Sequence, residues 1–82
     1  MFDIEKHVKE AIEKHPKLTL VEQCDTHACQ AGHVFMVAAI ANHTNTAALS
    51  TADLYDKSDA DVKAALSARL QMIEDALVKK DA

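Results

Sequence analysis

The sequence predicts an all-α fold: a small bundle of three to four helices with a buried central helix, in a single domain spanning residues 1–82. Three observations predict it. Phe2, Phe35 and Tyr55 are the only aromatic residues and Trp is absent, so the core is built from Ala, Val, Leu, Ile and Met, the palette of packed helices. One Gly and one Pro offer little turn chemistry for β-hairpins. Helix-start signals recur ahead of apolar-periodic segments, at Asp3, at Ser50 with Asp53, and at Ser58 with Asp61. At 82 residues the chain is near the lower limit for a single hydrophobic core.

Asp3 caps a first helix that reaches about His15. Ile4, Val8, Ala11, Ile12 and His15 recur at helical spacing and form its apolar face. Glu5 with Lys9 and Glu10 with Lys14 are i,i+4 pairs on the wet side. Pro16 ends the helix, because the residue before proline is pushed out of the α region. Lys17 to Gln23 is ambiguous. Leu18 and Leu20 alternate with Lys17 and Thr19 as in a strand, while Thr19 and Glu22 fit a capping box. With no second strand to pair with, an irregular link or one helical turn is the better expectation.

Thr26 is the expected N-cap of the central helix, about His27 to Asn42. Ala28, Ala31, Gly32, Phe35, Ala38 and Ala39 form its densest apolar stripe, and Val34, Met36, Val37 and Ile40 widen it around most of the circumference. Gly32 inside such a helix implies a backbone packed closely against it. Asn42 to Thr46 is a polar loop. A short helix follows from Ser50 to about Lys57, with Leu49 and Leu54 as its hydrophobic staple. The last helix runs from about Asp59 to Lys79. Its stripe of Val62, Leu66, Leu70, Ile73 and Leu77 keeps close to heptad spacing.

Net charge is −4 and Arg69 is the only arginine, so the clustered cations that bind nucleic-acid phosphates are missing. No apolar run approaches the roughly 20 residues of a membrane span, and the start of the chain lacks the layout of a signal peptide. The expectation is a cytoplasmic protein with no nucleic-acid or membrane partner and with reduced cysteines.

Cys24, His27, Cys29 and His33 concentrate soft and borderline ligands in ten residues. If a helix begins at His27, Cys29 and His33 share a face while Cys24 and His27 sit on the turn before it. That is a candidate tetrahedral zinc site of two thiolates and two imidazoles. Three other readings stay open. Cys24 at a helix start could be an activated thiol nucleophile. Cys24 and Cys29 could form a redox-sensitive disulfide. Both could be small buried hydrophobes, as free cysteines often are. His7, His15 and His43 are expected to be solvent-facing or capping. Asp53, Asp56, Asp59 and Asp61 sit near helix starts, where negative charge is favourable, and lack the glycine and closing Glu of an EF-hand.

His15-Pro16 followed by Cys24-x-Thr26-x-x-Cys29-x-Ala31-Gly32-His33 resembles a pattern in small uncharacterised proteins of bacteria and their phages. Those chains read His-Pro, a short link, then Cys-Gly-Thr-x-x-Cys-x-Ala-Gly-His or Trp opening an apolar helix, with a short Leu-rich helix after it like Ala48 to Tyr55. The resemblance covers about residues 7 to 56. Asp25 replaces the Gly, and no Trp precedes the motif. The resemblance implies a bacterial or phage origin and attaches no activity.

No catalytic constellation is recognisable, so the chain reads as a non-enzymatic, small acidic helical module. It is expected to dock on a host protein, such as a defence or regulatory component, and to need no cofactor. The alternative is a metal- or redox-responsive protein using the Cys24, His27, Cys29 and His33 set, with zinc as its cofactor. For the last helix, Val62, Leu66, Leu70, Ile73 and Leu77 either pack inside a monomer or form the interface of a homodimer about a two-fold axis.

Overall fold

The computed structural model describes residues 3–21 and 32–80. Its element order is α1 (Ile4–Glu13), β1 (Leu18–Leu20), β2 (Val34–Ala39), β3 (Thr46–Ser50), a 3-10 turn (Ala52–Leu54) and α2 (Asp59–Lys80). The three strands form an antiparallel sheet in the order β1-β2-β3. This is an α+β fold, and the expected all-α bundle is overturned.

The first helix follows its sequence signals. Asp3 is the N-cap, and its Oδ1 accepts from the Lys6 N–H at 3.2 Å. Ile4 and Val8 are buried, with Ala11 and Ile12 packed against the same core. Lys9 Nζ lies 3.2 Å from Glu5 Oε1 on the exposed side. The helix ends before Pro16, and β1 begins at Leu18 where a link or a helical turn was expected.

The correction centres on Val34–Ala39. The expected central helix ran from about His27 to Asn42, yet these six residues are the middle strand. Leu18 stands opposite Ala39 and Leu20 opposite Val37 on one side of β2. Phe35 stands opposite Leu49 and Val37 opposite Ala47 on the other. Leu18, Leu20, Phe35, Val37, Ala39, Ala47 and Leu49 therefore share the face that meets the helices, and all belong to the core or pack on it. Ala38 points to the opposite face and is also buried, at 1% exposure. A strand apolar on both faces shows no alternation, so its periodicity matches that of a buried helix.

The β2–β3 hairpin forms without glycine. Asn42 Oδ1 accepts from the Thr44 N–H at 3.1 Å and from Thr44 Oγ1 at 2.6 Å, an Asx turn that closes the loop through a side chain. Asn45 Nδ2 donates to the Leu77 carbonyl at 2.8 Å and ties the loop to α2. The helix expected from Ser50 to about Lys57 is the short 3-10 turn, with Leu49 and Leu54 both buried beside it.

The Asp61 N–H donates to Ser58 Oγ at 3.3 Å, so α2 opens at its signalled cap. Val62, Leu66, Leu70, Ile73 and Leu77 are all buried in the core of one protomer, against the sheet and α1. The five residues considered as a dimer interface thus lie inside the fold. On the α1 side of α2, His7 Nε2 lies 3.4 Å from Asp59 Oδ1, and His15 Nδ1 lies 3.6 Å from Glu74 Oε1. His15 is buried, in keeping with its place on the expected apolar face and not with a solvent-facing role; His43 is exposed.

Candidate functional site

The chemistry-bearing motif ends at Gly32 and His33, where the chain enters β2. Gly32 has φ of +77°, the only positive φ among the described residues, and this left-handed conformation is one that glycine adopts without steric cost. Its carbonyl accepts two hydrogen bonds at 2.7 Å, from Thr51 Oγ1 and from Tyr55 Oη. The Thr51 N–H donates to the His33 carbonyl at 2.8 Å, extending the β2–β3 ladder by one rung. Thr51 is completely buried, and its hydroxyl is satisfied by the Gly32 bond. The His33 ring is exposed and meets the Tyr55 ring edge-on, with centroids 6.0 Å apart and planes at 78°.

Of the proposed zinc ligands, His33 alone is placed. Cys24, His27 and Cys29, together with the Thr26 cap, lie outside the described residues. Among the described residues no group of three or more His, Cys, Asp or Glu side chains is arranged to hold a metal ion. The backbone expected to pack closely against Gly32 inside a helix is not found among the described residues: Gly32 sits at a strand entry, and its nearest neighbours are the side chains of Tyr55 and Ile4. A Cβ at Gly32 would stand 2.5 Å from Tyr55 Oη.

A second feature lies at the other end of β2. Pro16, Lys17, Ala39, Ile40, Ala41 and Val78 line an open, largely apolar groove of about 370 Å³. The Ile40 N–H donates to the Lys17 carbonyl at 3.0 Å and joins two of its walls. Ile40 is 50% exposed. Covering what remains of a half-exposed isoleucine is worth about 1 kcal/mol. In the sequence Pro16 reads as a helix stop and Ile40 as part of the expected central helix, and in those roles neither signals a groove. The available signal was Ile40 itself, a branched apolar residue followed within two positions by a polar loop.

The most strongly connected charged pair joins the 3-10 turn to α2. Arg69 Nη2 donates to Asp53 Oδ2 at 2.7 Å and Nη1 to Asp53 Oδ1 at 3.0 Å, a bidentate fork. Nη1 also donates to the Ser50 carbonyl at 2.7 Å. The hydrogen bonds from Arg69 hold the Asp53 carboxyl below the usual carboxylate range, and the same bonds raise Arg69 above its ordinary value. Asp53 is thus a clamp on the end of β3 as well as a residue near a helical start.

No protein-family model, curated protein or solved structure matches the chain. No helix among the described residues is long and apolar enough to cross a membrane.

Proposed function

We propose that this chain is a small protein-binding module that receives an apolar side chain of its partner in the groove between the α1–β1 turn, the end of β2 and the last turns of α2. The observation that carries this reading is the groove itself: an open, apolar site about 370 Å³ in volume with a half-exposed isoleucine at its wall. Lys17 lines the same groove. A carboxylate next to the partner's apolar residue therefore has a cation to meet, while the chain's net charge of −4 disfavours acidic segments elsewhere on its surface. The partner chemistry is an apolar residue flanked by Asp or Glu. A host protein carrying such a segment fits the bacterial or phage origin that the motif resemblance implies.

Selection from a displayed library of short random peptides tests this. Enriched peptides should carry an apolar residue beside an acidic one, and should lose about tenfold or more in affinity on Ile40→Asp. Lys17→Glu should shift the preference away from acidic neighbours. Absence of enrichment, or peptides that bind Ile40→Asp as tightly as wild type, overturns the reading.

A further inference from the structure

Three walls line the groove: the turn at Pro16 and Lys17, the end of β2 at Ala39, Ile40 and Ala41, and α2 at Val78. They belong to segments far apart in sequence, so their spacing depends on what ties them together. The turn is tied to β2 directly, where the Lys17 carbonyl accepts from the Ile40 N–H. It meets α2 through His15, the neighbour of Pro16, whose Nδ1 lies 3.6 Å from Oε1 of Glu74, one turn before Val78. Between the β2 wall and the α2 wall, the hydrogen bonds among the described residues run through Asn45.

Asn45 grips both walls with different parts of itself. Its carbonyl accepts from the Ala39 N–H at 3.1 Å, and its own N–H donates to the Asn42 carbonyl at 3.0 Å. The Asn42 N–H in turn donates to the Ala39 carbonyl at 3.2 Å. With the Asn42 side chain holding Thr44, the loop that presents Asn45 is closed at both levels. The Asn45 side chain then points away from the sheet, and its Nδ2 donates to the Leu77 carbonyl at 2.8 Å. Leu77 is buried and its neighbour Val78 is the α2 residue that lines the groove. Both lie in the last turn of α2, which ends at Lys80. A terminal turn is the part of a helix that frays first. Asn45 therefore holds, from outside the helix, the one wall most prone to loosen.

We infer that Asn45 is a positioning residue of the groove: its carboxamide fixes Val78 relative to Ala39 and Ile40, so the site is formed before a partner's apolar side chain enters it. This rests on the protein-binding reading above. A preformed site spares the ordering cost that binding otherwise includes. Without the tie, the last turn of α2 frays and that cost returns, although no group that touches the ligand has changed. Asn45 does not itself line the groove, so its effect passes through Val78. Linkage requires the converse as well: a ligand that needs Val78 in place must tighten the end of α2.

Amide hydrogen exchange followed by NMR on the full chain, free and with the capped tripeptide Asp-Leu-Asp, tests this. The peptide offers a leucine to the groove and a carboxylate to Lys17. In wild type it should slow exchange at the Leu77 and Val78 amides. In free Asn45→Ala those two amides should exchange about tenfold faster, while Val37 and Leu49 in the sheet keep their wild-type rates. Peptide affinity should fall about tenfold in the same variant. Thr44→Ala, in the same loop but bonded within it, should leave both readouts unchanged. That separates a grip on α2 from a general loosening of the loop. Equal peptide affinity for wild type and Asn45→Ala, or an equal loss in Thr44→Ala, overturns the inference and leaves the binding reading standing. Wild-type amide signals of Lys17, Ile40 and Val78 that do not move with peptide overturn both. If Asn45→Ala does not fold, wild type alone decides: the Asn45 carboxamide protons should exchange more slowly with peptide bound, and no change there overturns the inference.

Discussion

The helix α2 and the strand β2 bury comparable apolar side chains by different means. In α2 the buried residues follow one stripe, Val62 to Leu77, while Lys63, Ser67, Gln71 and Asp75 are exposed. All its internal backbone bonds are its own, so its form follows from its local sequence. β2 has Val37 and Ala38 buried on opposite faces, and its backbone bonds go to β1 and β3. It cannot exist without those neighbours. The contrast teaches that a cap and a periodic stripe define an element locally, whereas an apolar run acquires its form from what lies beside it.

The largest test of that contrast is Ile73→Glu. With Ile73 only 9% exposed within the protomer, an unpaired charge placed there should unfold the chain outright. Leu70→Ala, at a fully buried site, should cost about 2–5 kcal/mol by cavity formation. Chemical denaturation of both variants checks the order.

On the β2 side, Ala38→Leu should cost about 1–3 kcal/mol through overpacking of the face opposite Val37. An unchanged denaturation midpoint would show that this face has room. At the entry to β2, Gly32→Ala should cost a similar amount, about 1–3 kcal/mol. Its Cβ would meet Tyr55 Oη at 2.5 Å, and the backbone there has φ of +77°. Adding Tyr55→Phe should recover part of the loss, because the hydroxyl is the nearest obstacle; no recovery would assign the whole cost to the backbone.

Smaller effects test the local side. Ser58→Ala removes the N-cap acceptor for the Asp61 amide and should cost about 1 kcal/mol, seen in the same denaturation series. The smallest effect is at the clamp. Arg69 lowers the Asp53 carboxyl, so folding holds it ionised more firmly than the unfolded chain does. That stabilisation is present above the ordinary carboxylate range and is lost as pH falls through the depressed folded value. Asp53→Asn should therefore be less stable than wild type at neutral pH, and the gap should close on acidification. A gap that is independent of pH would show that Asp53 acts through packing alone.

Read from the sequence by itself, α1 and α2 were legible with their caps, buried stripes and breaks. Asp3 and Ser58 satisfy free amides within their own first turns, and the periodicity of Ile4–Ile12 and Val62–Leu77 is a property of the segments themselves. The open loop before β3 was legible for the same reason, from Asn42 to Asn45. Tertiary structure alone decided the rest. Val34–Ala39 is a strand because β1 and β3 supply its hydrogen bonds, and the glycine-free hairpin that brings β3 back is closed by the Asn42 side chain. Gly32 has its positive φ where Thr51 and Tyr55, both distant in sequence, converge on its carbonyl. The groove around Ile40 unites residues of the α1–β1 turn, β2 and α2. Each of these depends on partners distant in sequence, and a short apolar run has the same local pattern whichever partners it finds.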